Sequence, residues 1–465
     1  MKYISTRGQA PVLEFKDVLL SGLAVDGGLY VPSEYPLFSV TQIKQLQELS
    51  YPELAVKIIT PFIGDALRPD EIESICRQAY GKFSHAAVAP LKQLDTNLWV
   101  MELFYGPTLA FKDYALQLVG LLFDAVLSKS GKKITIAGAT SGDTGSAAIE
   151  ACQGREGIDI FILHPHNRVS EIQRKQMTTV QASNVFNIAL EGCFDDCQTI
   201  VKQLFADKDF RKSYALSAVN SINWARIMAQ VVYYFWAALR LGAPEREVSF
   251  AVPTGNFGNI FAGFVAKKMG LPIDKLIVGS NANDILPRFF ETGEMKKNDV
   301  QPSISPSMDI QVSSNFERLL FEYCNRDAKR VETAMASFKN EGVYKVSDDV
   351  MDKMRKQFKA LRCDDGATQE AMREIYDKTD MVFDPHSAIG YAAGKTYIEE
   401  NVPMVCLATA HPAKFPKAVC EAVKITPSLP PKMHDLMEKE ENFDVLPNSV
   451  DAVKSYIETK VSRKG

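Results

Sequence analysis

Lys112 is the residue of this chain whose setting most strongly indicates covalent chemistry. It lies between Phe111 and Asp113, just ahead of the largely apolar run Tyr114–Val126. Lysine side chains usually stay in water, and an apolar setting beside a carboxylate can shift the pKa of the amine and make it a nucleophile. Such an amine forms a Schiff base with a carbonyl cofactor. The competing interpretation is a lysine that simply starts a helix, and this segment by itself favours that interpretation.

A loop of small and hydroxyl-bearing residues is a candidate anion site. It follows the predicted strand Lys133–Ala137 and precedes a helix predicted over Ser146–Cys152. Backbone N–H groups converge at such a helix start and bind anions. A P-loop is excluded, because no Lys-Ser or Lys-Thr pair follows the glycine at the required spacing. A plain turn needs only one glycine and one capping residue, so we predict a ligand role for Thr140, Ser141, Gly142, Asp143 and Thr144.

A second candidate anion loop follows the predicted strand Val248–Val252 and precedes a helix predicted over Ile260–Met269. Its two glycines let the backbone approach a ligand closely. The loop does not match G-x-G-x-x-G, so a phosphate monoester fits it better than a dinucleotide. A tight turn with a glycine cap explains the same residues equally well. The candidate ligands are Gly255, Asn256, Phe257, Gly258 and Asn259.

A third candidate anion site lies at the start of another helix. Asn220 or Ser221 is predicted to cap the helix expected over Ile222–Leu241. Arg226 is predicted one to two turns into that helix, where its guanidinium would reach an anion bound at the helix start. A capped helix with an exposed arginine is the alternative.

Thr409 follows a late predicted strand, Met404–Leu407, and its hydroxyl is suited to meet a ring nitrogen as a neutral partner. Ligands of open α/β sheets gather at the carboxyl ends of the strands, and Thr409 falls at such an end. His411 precedes Pro412 in the same loop, and we assign no role to this histidine.

The elements that must position these residues alternate between strand and helix. This rhythm predicts an α/β fold with open, mostly parallel sheets and helices on both faces. The first part of the chain differs, with helices predicted over Val40–Leu49, Ser50–Ile63 and Pro69–Tyr80. We expect an N-terminal domain over 1–92, a large domain over 93–130 and 215–465, and a smaller inserted domain over 131–214. The stretch Phe316–Leu361 is expected to form surface helices, and the tail Lys432–Gly465 peripheral helices.

Composition excludes several classes of protein. The chain has 465 residues and a formal net charge of −4, so nothing favours nucleic acid or an anionic membrane as a partner. No stretch approaches the roughly 18 apolar residues of a membrane span. The first residues lack the apolar core of a signal peptide, and the eight cysteines have no framework spacing. We therefore expect a cytoplasmic protein with reduced thiols and, since no second pair joins Cys193 and Cys197, no metal site.

Four segments in this order, FYGPTLAFKD, ATSGDTG, NSINWARI and PTGNFGN, resemble the threonine synthase family. DGGLYVP near the start and ATAHPAKF near the end extend the resemblance from Thr6 to about Phe415, and they place it with the bacterial and fungal subgroup. The resemblance implies a pyridoxal-phosphate enzyme of fold type II, the tryptophan synthase β type. It also implies two mostly parallel α/β sheet domains and a mainly helical N-terminal domain.

The resemblance implies a role for each candidate residue. Lys112 would be the Schiff-base lysine, the loop Gly255–Asn259 would hold the cofactor phosphate, and Thr409 would face the pyridine nitrogen. The loop Thr140–Thr144 would bind the substrate α-carboxylate. The substrate phosphate would be bound by Asn220, Ser221 and Arg226.

The implied reaction converts O-phospho-L-homoserine and water to L-threonine and phosphate. A threonine or serine dehydratase of the same fold needs no second anion site, which argues against that alternative. A related lyase that eliminates phosphate without making threonine stays open, as does a non-catalytic phosphate-binding α/β protein. We expect a small-molecule substrate as the partner, and a monomer or homodimer.

Overall fold

The computed structural model describes residues 1–462. The chain forms two compact units. The first unit contains Met1–Leu19, Leu23–Ala115 and Ser221–Pro427. The second contains Leu20–Gly22, Leu116–Asn220 and the chain from Ser428 onward. The three domains expected from the sequence remain a prediction.

The strands are β1 Lys2–Ser5, β2 Leu13–Glu14, β3 Tyr30–Pro32, β4 Leu91–Asp95, β5 Leu98–Glu102, β6 Ile134–Ala139, β7 Ile158–Pro165, β8 Val185–Glu191, β9 Leu216–Ser217, β10 Val248–Pro253, β11 Ile273–Ser280, β12 Glu294–Lys296, β13 Val343–Lys345, β14 Phe358–Arg362, β15 Met404–Ala408 and β16 Asp444–Pro447.

The α-helices are α1 Phe15–Ser21, α2 Val40–Gln45, α3 Tyr51–Ile63, α4 Pro69–Tyr80, α5 Lys112–Ser130, α6 Asp143–Cys152, α7 Glu171–Thr178, α8 Phe194–Ala206, α9 Lys208–Ser213, α10 Trp224–Arg240, α11 Gly258–Lys268, α12 Ile285–Thr292, α13 Phe316–Tyr323, α14 Ala328–Asn340, α15 Asp348–Gln357, α16 Asp365–Thr379, α17 Pro385–Thr396, α18 Pro416–Val423 and α19 Val450–Ser462.

The first unit is built on a six-stranded sheet with the order β14-β11-β10-β15-β5-β4. All neighbours are parallel except β4, which runs antiparallel to β5 at one edge. Every residue of β10 is buried, as expected for a central strand of a parallel sheet covered on both faces. The N-terminal part of this unit adds helices α1–α4 and a small antiparallel sheet, β2-β1-β3.

The second unit contains a five-stranded, wholly parallel sheet with the order β16-β8-β7-β6-β9. Its core packs apolar side chains of the sheet against helices, among them Phe161, Ile188 and Cys197. The two mostly parallel sheets confirm the predicted α/β class.

Two expectations about the C-terminal half are only partly right. The predicted helices are present, as α13–α15 in the stretch Phe316–Leu361 and as α19 in the tail, but each stretch also contributes a strand to a large sheet. The tail forms an edge strand, β16, paired with β8, and Val453 and Ile457 of α19 are fully buried, so this segment is not peripheral. The stretch Phe316–Leu361 includes β14, which pairs with β11 in the large sheet, and α13 buries most of its residues. Both strands, β14 and β16, are short and are flanked in the sequence by polar residues. Their pairing therefore depends on tertiary contacts that the local pattern of apolar residues does not reveal.

Within residues 1–462, none of the helices combines the length and the apolar character that crossing a bilayer requires.

Candidate active site

Lys112 is the first residue of α5, and the turn before it is wound around a buried carboxylate. Asp113 is fully buried, and it accepts hydrogen bonds from the amide of Thr108 at 2.8 Å and from its hydroxyl at 2.7 Å. A Cβ at Gly106 would lie 2.4 Å from the Cβ of Asp113, so only glycine fits there. Leu109 takes the left-handed conformation, with φ 62°. The turn therefore fixes the backbone position from which the side chain of Lys112 extends.

Backbone hydrogen bonds join the Lys112 turn to the loop after β15. The amide of Phe111 donates to the carbonyl of Thr409 at 2.8 Å, and the amide of His411 donates to the carbonyl of Leu109 at 3.0 Å. Thr409 is buried, and its own amide donates to the hydroxyl of Ser387 at 2.9 Å. The structure therefore brings Lys112 and Thr409 to the same end of the large sheet.

The loop after β10 has the geometry of an anion nest. Phe257 is left-handed, with φ 62°, although a bulky side chain disfavours that conformation. A Cβ at Gly255 would lie 2.9 Å from the carbonyl oxygen of Ser307, so a larger residue would displace the chain. Gly258 is the first residue of α11, so the loop ends at a helix N-terminus. Alternating backbone conformations of this kind present successive N–H groups to an anion.

Asn259 carries a buried donor that no group in the described part of the chain satisfies. Its Oδ1 accepts hydrogen bonds from the hydroxyls of Tyr233 at 2.6 Å and Tyr234 at 2.9 Å, which fixes the orientation of the amide. The Nδ2 atom is buried without a hydrogen-bond partner within residues 1–462. Buried polar atoms are rarely left unpaired, so this donor indicates a ligand beside the nest. A phosphate group fits this set of donors.

Arg226 is a buried cation with unused donors. The residue is 4% exposed, and its Nε and Nη1 atoms find no partner in the described part of the chain. Burial lowers the pKa of the Arg226 guanidinium to about 10. The alternative of an exposed arginine is therefore wrong. A buried guanidinium with two unpaired N–H groups requires an acceptor, and a phosphate dianion supplies one.

The start of α10 differs from the sequence prediction. The N-cap is Asn223, whose Oδ1 accepts from the amide of Ala225 at 3.0 Å, so neither Asn220 nor Ser221 caps the helix. Arg226 lies in the first turn of α10, not one to two turns inside it. Three closely spaced polar residues are all suitable caps, and the sequence alone does not choose between them.

The predicted carboxylate loop lies in the second unit, after β6. The hydroxyl of Thr140 accepts from the amides of Gly142 and Gly145, both at 2.9 Å. Asp143 is buried and accepts from Nε2 of Gln173 at 2.9 Å. Helix α6 begins at Asp143, three residues before the predicted start. Thr140 and Asp143 therefore shape the loop.

Ser141 and Thr144 of this loop are half-buried, whereas Thr140 and Asp143 are buried. The greater exposure of Ser141 and Thr144 is consistent with the predicted ligand role. Asn220 belongs to the same unit, and its Oδ1 atom is buried without a hydrogen-bond partner among the described residues. The first unit holds the other predicted site residues, which are Lys112, Ser221, Arg226, Gly255, Asn256, Phe257, Gly258, Asn259 and Thr409.

Sequence reasoning did not identify several buried polar residues around these loops. Gln173 supports the carboxylate loop, Tyr233 orients Asn259, and Asn315 and Arg318 contact the nest and the segment before α10. The polar residues before Phe316 are typical of an ordinary helix cap, and the charged residues after it are typical of a solvent-exposed helix face. Only tertiary packing reveals their burial.

Comparison with known proteins identifies the enzyme class of this chain and then its family. Residues 84–410 match the family model described as pyridoxal-phosphate dependent enzyme. This chain is a pyridoxal-phosphate enzyme of fold type II, and the buried nest and the lysine at the sheet end fit that cofactor. Residues 2–80 match the model of the threonine synthase N terminus, and residues 387–457 match that of the threonine synthase C-terminal region. The chain belongs to the threonine synthase family.

Individual relatives agree with this assignment. A threonine synthase of Pseudomonas aeruginosa is 54% identical over 459 residues, which cover 98% of each chain. The crystal structure of a threonine synthase with bound pyridoxal phosphate from Brucella melitensis is 53% identical, with a TM-score of 0.97 and 99% of each chain covered. The yeast threonine synthase structure has a TM-score of 0.94 at 37% identity, again over 99% of each chain. The predicted family, fold class and cofactor are confirmed.

Proposed function

We propose that this chain converts O-phospho-L-homoserine and water to L-threonine and phosphate, the last step of threonine biosynthesis. The observation that carries the proposal is Arg226, a buried guanidinium whose Nε and Nη1 atoms have no hydrogen-bond partner within residues 1–462. The cofactor needs one phosphate site, which the loop Gly255–Asn259 can supply. A buried cation at another helix start is a second candidate phosphate site, and it matches a substrate that carries its own phosphate.

The cofactor is held by residues of the first unit in this proposal. The backbone amides of the loop Gly255–Asn259 and the Nδ2 of Asn259 donate to its phosphate. Thr409, fixed by its backbone bonds to Phe111 and Ser387, offers a neutral hydroxyl to the ring nitrogen. Lys112 anchors the cofactor through its amine. Pyridoxal phosphate, when bound, supplies the electron sink that makes the protons at the substrate Cα and Cβ acidic.

The side chains then hold and move the protons. The amine of Lys112 takes the proton at Cα and gives it up again, which frees it to take a second proton at Cβ. When the phosphate has left from Cγ, the amine delivers this second proton to Cγ, which becomes the methyl group. Water then adds its hydroxyl to Cβ and its proton passes to the released phosphate, and a proton returns to Cα. Arg226 holds the phosphate while it is attached to Cγ and as it leaves. Asn220 and Ser221 complete the phosphate site, and Ser141 and Thr144 orient the α-carboxylate.

Two assays test the proposed reaction. Purified protein should release phosphate from phosphohomoserine and form threonine in equal amounts, and it should form little keto acid from threonine. Phosphate release without threonine would indicate a phospho-lyase instead. Keto acid formation from threonine as the faster reaction would indicate a dehydratase, and a colourless protein that does not bind pyridoxal phosphate would refute an enzymatic role.

The finer expectations about partners remain part of this proposal. We expect a monomer or homodimer acting in the cytoplasm on a small-molecule substrate, without nucleic acid or membrane as a partner. Sedimentation of the purified chain measures the oligomeric state, and fractionation of cells measures the location.

A further inference from the structure

Asn315 and Arg318 form a buried polar pair at the N-terminus of α13. Both residues are fully buried, and the guanidinium of Arg318 donates to Oδ1 of Asn315. Arg318 also donates twice to the carbonyl of Tyr30, from Nε at 3.1 Å and from Nη2 at 2.9 Å. The Asn315–Arg318 pair is thus fully enclosed and bound to backbone carbonyls.

Asn315 holds the cofactor-phosphate loop by its outer carbonyl groups. Its Nδ2 donates to the carbonyl of Asn256 at 2.8 Å, and its backbone amide donates to the same oxygen at 3.1 Å. The hydroxyl of Ser313 donates a hydrogen bond to the carbonyl of Gly255 at 2.7 Å. In a trans peptide the C=O and the following N–H point in opposite directions. The amides of Asn256 and Phe257 therefore point away from α13.

The same pair holds the segment before α10. Nδ2 of Asn315 donates to the carbonyl of Ser221 at 3.1 Å, and Nη2 of Arg318 donates to the carbonyl of Ile222 at 2.6 Å. By the same peptide geometry, the amides of Ile222 and Asn223 point away from the pair. One side chain, Asn315, thus binds a carbonyl in each of the two segments that would hold a phosphate.

Arg318 carries a charge that no carboxylate of the described residues neutralises by contact. Its hydrogen bonds go to carbonyl groups and to Asn315, and no carboxylate within residues 1–462 forms an ion pair with it. Burial lowers the pKa of the Arg318 guanidinium to about 10, and the group stays charged at neutral pH. A buried cation acts strongly on nearby anions because few solvent dipoles screen it.

We propose that Asn315 and Arg318 are positioning residues that orient the cofactor-phosphate loop and the substrate-phosphate segment together, and that Arg318 supplies positive charge to both bound phosphates. The substrate half of this inference rests on the proposed function. The cofactor half does not, since the class of the protein already requires pyridoxal phosphate.

The test uses the full chain and the variants Asn315→Ala, Asn315→Asp and Arg318→Met. Arg326→Met is a matched control, because Arg326 also binds backbone carbonyls, those of Pro32 and Ser33, and contacts neither phosphate segment. Three quantities are measured: the affinity of the apo-protein for pyridoxal phosphate, the KM and kcat for phosphohomoserine, and the melting temperature. Loss of two buried hydrogen bonds should weaken cofactor binding and raise KM by about tenfold each. The control should change either quantity by about twofold or less, since it lies outside these contacts.

Asn315→Asp keeps the shape of the side chain and its bond to Arg318 while removing both Nδ2 donors, so it tests the inference if the alanine variant does not fold. A lower melting temperature with unchanged cofactor affinity and KM would overturn the inference, as would a change in only one of the two affinities. If the wild-type chain releases no phosphate from phosphohomoserine, the proposed function fails. The cofactor titration, with inorganic phosphate as the probe of the second segment, still decides the role of the pair.

Discussion

Replacing Arg226 by methionine should lower substrate affinity without lowering the stability of the apo-protein. The guanidinium offers two unpaired buried donors, Nε and Nη1. A hydrogen bond to a charged group contributes about 1.5–3 kcal/mol, so two of them to a phosphate contribute about 3 kcal/mol or more. This corresponds to a rise in KM for phosphohomoserine of about 100-fold or more.

The stability of the apo-protein should respond in the opposite direction. Burial lowers the pKa of Arg226 from 12.5 to about 10, and at 1.36 kcal/mol per pKa unit this is a cost of about 3 kcal/mol. Both pKa values lie far above 7, so the unfolded and folded states are both protonated at neutral pH and the full cost is present there. Methionine removes the charge and keeps much of the apolar stem, so we expect a melting temperature equal to or above that of the wild type.

Steady-state kinetics, cofactor titration and thermal melts of the apo-protein measure these effects. Arg240→Met is a suitable control, because Arg240 ends the same helix and binds the carbonyls of Gln47 and Leu49. The reasoning is refuted if Arg226→Met keeps its KM, or if it loses cofactor affinity instead. A lower melting temperature with normal kinetics would show that Arg226 is structural.

Three further variants test other parts of the site and the fold. Lys112→Ala should lose the absorbance of bound cofactor near the visible edge and lose turnover, and an unchanged spectrum would reject Lys112 as the anchor. Gln173→Ala removes the hydrogen bond to Asp143 and should raise KM about fivefold to tenfold at constant cofactor affinity; an unchanged KM would mean that the loop needs no such support. His164 is 1% exposed, and both its ring nitrogens lack a hydrogen-bond partner within residues 1–462. Burial lowers the pKa of its imidazole to about 4. As the pH falls from 6.5 to 4, the unfolded chain therefore binds a proton at this histidine and the folded chain does not. Stability should fall by about 3 kcal/mol over that window, and His164→Phe should show a smaller fall in acid melts than the wild type.

The local elements that were predicted well are those whose sequence contains its own boundary signals. Helix α4 spans Pro69–Tyr80 as predicted, because a proline stands at its first position and Asp70 and Glu71 occupy its first turn. The predicted strand Val248–Val252 covers all but the last residue of β10. A mostly apolar run that ends at a loop with two glycines is typical of a central parallel strand, which explains why the prediction succeeded.

The elements that were missed depend on distant parts of the chain. The four residues of β16 stand among charged residues, and only pairing with β8 makes them a strand. Asn315 and Arg318 have the composition of a helix cap and a surface charge, yet both are fully buried. Hydrogen bonds to Asn256, Ser221 and Ile222, all distant in sequence, compensate for that burial.

The predicted site residues fall into two kinds in the structure. Arg226 and Asn259 have buried donors without a partner in the part of the chain that the structure describes, which supports their predicted contact with phosphate. Thr140 and Asp143 already use their side chains within their own loop. A sequence motif does not separate residues that touch a ligand from residues that shape the loop, because both are small and polar.

The pairing of β16 with β8 also has a consequence for the order in which the chain acquires its structure. A ribosome that has completed β6, β7 and β8 must still synthesise the whole segment Ser221–Pro427 before β16 emerges. During that interval β8 has an unpaired edge, and it carries residues that are buried in the complete fold, such as Ile188 and Leu190. Exposed strand edges promote aggregation. The last strand of the chain therefore completes a sheet whose other strands are synthesised much earlier, and we expect chains that end before Asp444 to leave the edge of β8 unpaired.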